Sequence, residues 1–194
     1  PSSYQRWQWN RRKNGNFSNP IHIWAYPGET PILDCRNISH STDRFGIYLF
    51  CSDYWHLKGL SITRVDQVTT GKSGANGIRI YSGNNNKLEL IKSFNNGGSG
   101  ITIVYASEDN NILNCDTFNN YDPHTPGYKG GHADGIEIAD IFERDGSERA
   151  NKVKGCRAWN NSDDGYDFYK CEGVLIIDSC WAWKNGYQNG DGSG

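Results

Sequence analysis

A glycine followed by alternating apolar residues recurs four times along the chain: "NGIRIY" (76–81), "SGITIV" (99–104), "DGIEIA" (134–139) and "DGYDFY" (164–169). Period-two alternation marks short strands with one buried face. A second motif interleaves with the first, in "LELIKSFNN" (88–96), "LNCDTFNN" (113–120), "KGCRAWNN" (154–161) and "DSCWAWKNG" (178–186). There Phe94, Phe118, Trp159 and Trp183 share one register, with Ile91, Cys115, Cys156 and Cys180 three positions earlier and Asn96, Asn120, Asn161 and Asn185 two positions later. The glycines Gly77, Gly100, Gly135 and Gly165 are spaced by 23, 35 and 30 residues. The first spacing fits one coil of a solenoid. Two polar insertions, 121–133 and 140–150, account for the longer ones.

Strand units of this length predict an all-β chain wound as a parallel β-helix, one domain over residues 1–194. Equivalent residues on successive coils stack, so the repeat predicts an inward aromatic ladder and an asparagine ladder at a turn, its amides bonding from coil to coil. Upstream, "NPIHIWAYPGETPILDC" (19–35) and "YWHLKGLSITRV" (54–65) read as earlier coils. Residues 4–15 show no period and read as a solvated basic loop. Residues 185–194 resemble the entry to a further coil, so the chain reads as truncated at its carboxyl-terminal end.

Composition narrows the classes. The 194 residues carry a formal charge of −2, which gives no basic field for nucleic acid or anionic lipid. No stretch approaches the roughly 18 apolar residues of a membrane span. The chain has no methionine and no signal sequence, as expected of a mature protein or an excised piece. Cys115, Cys156 and Cys180 replace Ile91 at an inward position and so read as small buried hydrophobes. Cys115 and Cys156 would be neighbours able to pair, although the ladder needs no disulfide.

Charge is concentrated in one place. "NNSDDGYDFY" (160–169) packs Asp163, Asp164 and Asp167 together, and Asp134 precedes Gly135 as Asp164 precedes Gly165. Adjacent coils stack about 4.8 Å apart, so Asp134 is expected beside Asp164. Such a stretch is either a solvated acidic turn or the seat of a cation, and four aspartates in register across two coils favour the cation. Oxygen ligands suit Ca²⁺ better than Zn²⁺, and the spacing excludes an EF-hand.

"HADGIEI" (132–138), "NNSDDGYDFY" and "CWAWKNGY" (180–187), with the opening coils at 19–35 and 54–65, resemble the family-nine polysaccharide lyases, Ca²⁺-dependent pectate lyases built on a right-handed parallel β-helix. The resemblance implies that Asp134, Asp163, Asp164 and Asp167 hold calcium and that the substrate is an acidic plant cell-wall polysaccharide. Unbranched polygalacturonate comes first and the rhamnogalacturonan backbone second. It also implies a secreted enzyme, here expected to be a monomer. A cation there would reverse the sign of an acidic cleft and acidify the proton at C5 of a uronate; a neutral lysine would remove it, with β-elimination at C4.

The family's catalytic lysine resembles that of an Asn-Gly-Phe-Lys segment, which residues 1–194 do not contain. The base is therefore expected outside them. Lys184 and Lys170 are weak substitutes, Lys184 reading as a solvated turn residue and Lys170 as a solvent-facing or ion-paired one. His132 and Tyr187 are weak substrate-binding candidates, and Trp181 is a candidate for stacking on sugar, whereas His124 and His56 carry less. "TTGKSG" (69–74) lacks the P-loop's earlier glycine and reads as a turn. Two other functions compete. One is an inverting glycoside hydrolase using paired carboxyls. The other is a non-catalytic β-helix that binds calcium and acidic polysaccharide.

Overall fold

The computed structural model describes residues 13–38, 44–67, 74–127, 129–142 and 149–186. Most of the amino-terminal stretch 4–15, nearly all of 69–74, the middle of the 140–150 insertion, and Tyr187 with the residues after it lie outside the described part.

Every strand pairing is parallel, and the strands form three sheets. Sheet 1 contains β1 (Ile21–Trp24), β4 (Trp55–Lys58), β7 (Lys87–Glu89), β10 (Asn111–Leu113), β13 (Ala150–Lys154) and β16 (Val174–Asp178). Sheet 2 contains β2 (Ile32–Asp34), β5 (Ser61–Thr63), β8 (Lys92–Phe94), β11 (Asp116–Phe118), β14 (Arg157–Trp159) and β17 (Trp181–Trp183). Sheet 3 contains β3 (Arg44–Phe50), β6 (Ala75–Tyr81), β9 (Ile101–Val104), β12 (Ile136–Ala139) and β15 (Tyr166–Asp167). Each coil lays one strand in each sheet in turn, which makes a right-handed parallel β-helix. The two upstream coils fall where the sequence places them; strand β3 between them was not read from it.

Backbone corners explain the short strands. On successive coils, Leu90, Asn114, Gly155 and Ser179 end sheet-1 strands with positive φ, and Asn95, Asn119, Asn160 and Lys184 do so after sheet 2. A single left-handed residue turns the chain sharply, and asparagine tolerates that conformation better than most. Between two such corners only a three-residue strand fits.

The core is a set of columns. Leu57, Leu88, Ile112 and Val153 stack in register along sheet 1, and Ile78, Ile101 and Ile136 along sheet 3, all fully buried. Each such side chain contributes about 1.5–3 kcal/mol by leaving water. Ile91, Cys115 and Cys156 are buried as expected, Cys180 is half-buried, and all six cysteines are free thiols.

The aromatic ladder is corrected. Phe94, Phe118, Trp159 and Trp183 do stack, with ring centroids 4.8, 4.4 and 4.9 Å apart, but on the outer face. The first three are half-buried and Trp183 is exposed, while Ser93, Thr117 and Ala158 point inward. The reason is space. The sheet-3 glycines face these positions, and a Cβ on Gly77 would lie 1.9 Å from Ser93 Oγ, or on Gly135 2.7 Å from Ala158 Cβ. No ring fits there.

The asparagine ladder is present and buried. Asn96 donates its side-chain amide to Asn120 Oδ1 (3.0 Å), Asn120 to Asn161 Oδ1 (2.8 Å), and Asn161 to Asn185 Oδ1 (3.0 Å). A second ladder, Asn86, Asn110 and Asn151, turns the chain from sheet 3 into sheet 1. Its signal is an asparagine two residues before each inward sheet-1 apolar residue, Leu88, Ile112 and Val153.

Candidate metal centre and its cleft

The outer face of sheet 3 carries the acidic residues. Register pairs Ile136 with Tyr166 and Glu137 with Asp167, which places Asp134 against Asp164 on the next coil. The backbone completes this step: Gly135 N–H donates to Asp164 O (2.9 Å), and Asp164 N–H donates to the Asp134 carboxylate (3.1 Å). Gly135 has to be glycine here, because a Cβ would sit 2.5 Å from Gly165 O. Carboxylate oxygens of Asp134, Asp163 and Asp164 all lie within 4.8 Å of one another, with Asp134 buried, Asp163 half-buried and Asp164 exposed. Asp167, three residues beyond Asp164 on the same coil, lines the same cleft but lies outside that three-donor group.

Glu137 is the acidic member that sequence reading missed. It occupies the outward position of an apolar alternation, the place an ordinary surface glutamate would hold. Here it is enclosed, accepting hydrogen bonds from Thr102 Oγ1 (3.0 Å) and Ser99 Oγ (3.3 Å). Ser99 Oγ lies within the same reach of Asp134 Oδ2 (3.1 Å), so its single hydroxyl proton is shared between the two carboxyls. The signal was available: Ser99 precedes Gly100 where Asp134 precedes Gly135, and Thr102 and Glu137 share a register.

Four carboxyls in one cleft disturb one another. Burial pushes Asp134 up to about 8, helped by the charges of Glu137, Asp163 and Asp167. Burial, then Asp164, raises Asp163 to about 6. Asp167 is raised by burial and by Asp164. Glu137 is also raised by burial, against the Thr102 hydrogen bond and the charge of Arg79. A cluster that resists ionisation in this way would be relieved by a cation.

The cleft encloses about 510 Å³. The 121–133 insertion forms one wall. Asp122 pins it by accepting the backbone N–H groups of His124 (3.2 Å) and Thr125 (3.0 Å), while Gln67 Oε1 accepts from His124 N–H (2.9 Å). His132 is exposed and lines the cleft beside Asp163, whose upward shift it opposes. Lys170 stands off the cleft with its amine over the Tyr169 ring (4.9 Å), and Lys184 is exposed at a sheet-2 corner. Among the described residues no lysine lines the cleft. His56 belongs to a different face, bonded to Glu89 (2.9 Å), and Trp181 is exposed on sheet 2.

Residues 3–194 match the family described as the Pel9A-like, right-handed β-helix region. The chain belongs to that family. It is similar to pectate lyase L of Dickeya chrysanthemi, 32% identical over 177 residues that make up 90% of this chain and 37% of that protein. Among solved structures, a rhamnogalacturonan lyase superposes with a TM-score of 0.79 at 34% identity, covering 94% of this chain and 44% of that one. Pectate lyase Pel9A superposes at 0.72 and 27% identity, covering 95% and 42%. The chain therefore spans between a third and a half of each of these relatives.

Proposed function

We propose that this chain carries the calcium-holding and substrate-binding part of a polysaccharide lyase that cleaves pectate by β-elimination. The observation that carries the reading is the convergence of Asp134, Asp163 and Asp164 within 4.8 Å in a cleft. Relatives named pectate lyase support the substrate class.

The donor set fits calcium. All the candidate ligands are carboxylate oxygens, hard and flexibly arranged, with no thiol or imidazole in the three-donor group. Asp134, Asp163 and Asp164 would hold the ion, with Asp167 facing it from β15. Bound there, Ca²⁺ would offset the negative field and draw electron density from a uronate carboxylate, making the adjacent C5 proton more acidic. The chain's own residues prepare that site. Ser99 and the Asp164 backbone fix the Asp134 carboxylate, and the pinned 121–133 wall brings His132 and Thr125 to the cleft. A polymer of the plant cell wall is met outside the cell, so secretion goes with this reading.

A calcium titration by calorimetry is the direct test. Wild-type chain should bind calcium, and Asp134→Asn and Asp164→Asn should each lower affinity by roughly 10- to 100-fold, as loss of a charge-assisted ligand implies. Affinity retained in both variants would sink the reading. The better superposition on the rhamnogalacturonan lyase favours a second reading in which that backbone is the substrate. Comparing binding of polygalacturonate and rhamnogalacturonan separates the two, and saturated rather than unsaturated products would indicate hydrolysis instead.

A further inference from the structure

Beyond the acid cluster, the outer face of sheet 3 holds a cation whose hydrogen-bonding capacity is unspent. Arg79 of β6 pairs in register with Thr102 of β9, which pairs with Glu137 of β12. It is half-buried and lines the same cleft as Asp134, Glu137, Asp163 and Asp167. Its guanidinium carbon lies 5.3 Å from the Phe45 ring centroid and 5.9 Å from that of Tyr81. These contacts steady the planar group and, among the described residues, leave its five N–H donors uncommitted. Among the described residues, Arg79 has no hydrogen bond and no ion pair.

Neutralising Glu137 does not account for this arrangement. Glu137 feels the charge of Arg79, yet its hydrogen bonds go to Thr102 and Ser99, and Thr102 in turn accepts from the Asn76 amide. The carboxylate is satisfied without the guanidinium. Strand spacing separates β6 from β12 by about 10 Å and from β15 by about 14 Å. At that backbone spacing, an anionic polymer lying across the strands presents separate charged units to Arg79 and to the acid cluster. Next to Arg79 the face turns aromatic, with Tyr81 stacked on Tyr105 (4.5 Å) and 5.4 Å from Phe50, the last two exposed. Such rings offer flat apolar surface to sugar faces.

We propose that Arg79 is a substrate-binding residue that grips the carboxylate of one uronate while the aspartate cluster serves another unit of the same chain. The proposal rests on the polyuronate reading above. It makes Arg79 the group that demands free acid rather than ester at that position, since a planar fork suits a carboxylate and gains little from an uncharged methyl ester.

The test is calorimetry in saturating calcium, with pentagalacturonate and its methyl-esterified form, on wild-type chain, Arg79→Met and Arg79→Lys. Calcium affinity and circular dichroism are measured in parallel. Arg79→Met should weaken the acid oligomer roughly 10- to 100-fold. It should leave the esterified oligomer and calcium binding intact, with Arg79→Lys intermediate. An Arg79→Met variant that binds the acid oligomer like wild type, or loses both oligomers equally, overturns the assignment alone. Wild-type chain that binds calcium but neither oligomer overturns the pectate reading and this assignment with it.

Discussion

On the calcium reading, Asp134 is the residue on which stability and binding pull in opposite directions. Its carboxyl holds a proton to about pH 8 in the folded chain, whereas an unfolded aspartate releases it near 3.8. Between those values unfolding releases a proton, so this carboxyl's contribution to metal-free stability is full below about pH 4 and falls as pH rises toward 8. Asp163 adds to the fall up to about pH 6. Melting temperature measured in chelator should accordingly be higher at pH 5 than at pH 8, and saturating calcium should remove most of that difference. A flat profile in chelator would contradict the burial of these groups. By the same logic Asp134→Asn, metal-free at pH 8, should melt above wild type while binding calcium poorly. The aspartates were legible in sequence because they repeat in register. Glu137 was legible only through its shared register with Thr102, since an outward glutamate in a strand by itself looks the same whether solvent or a cleft lies over it.

At the scale of the coil, neighbouring asparagines do unlike jobs. Asn120 is fully buried, accepts from the backbone and side chain of Asn96, and donates to Asn161. Asn119 is exposed and holds a left-handed corner at φ 55°. Asn120→Ala leaves buried partners unsatisfied and should cost about 2–4 kcal/mol. Asn119→Gly keeps the corner and should cost less than about 0.5 kcal/mol. Urea denaturation of the two variants side by side checks the contrast, and equal losses would mean that the ladder is not a stabilising element. Both columns could be read from the repeat, but the direction of the aromatics could not. Phe94 and its equivalents are the largest apolar members of their segments, which argues for the interior. What excludes them is the narrow gap between sheets 2 and 3, a property of two elements together that no single segment displays. The outward stack should therefore matter less than a true core column: Phe118→Ala is expected to cost about 1–2 kcal/mol, against about 2–5 kcal/mol for the fully buried Ile112→Ala.

Across the whole molecule, the glycine column of sheet 3 ties the fold to the site. Gly46, Gly77, Gly100, Gly135 and Gly165 face Ile62, Ser93, Thr117, Ala158 and Ala182 at distances that leave no room for a side chain. Gly135→Ala would force β12 away from β14 and β15, and with it the aspartate one residue before. Its expected outcome is a loss of calcium affinity comparable to Asp134→Asn even though no ligand is altered, read by the same calorimetry under conditions where circular dichroism still shows a folded chain. Retained affinity would show that the site does not depend on this close approach. Four of these glycines stood out in sequence by their spacing, whereas Gly46 sits in "RFGIYLF", where no aspartate, serine or asparagine precedes it to mark the motif.

Since both the acid cluster and Arg79 hang on one sheet, their separation is a whole number of strands. Duplicating or deleting the coil that carries β9 would change that separation by one rung and leave either end chemically untouched. On the polyuronate reading, a scaffold of this kind has a digital means of altering how long a saccharide it grips, and point mutation has no equivalent to it.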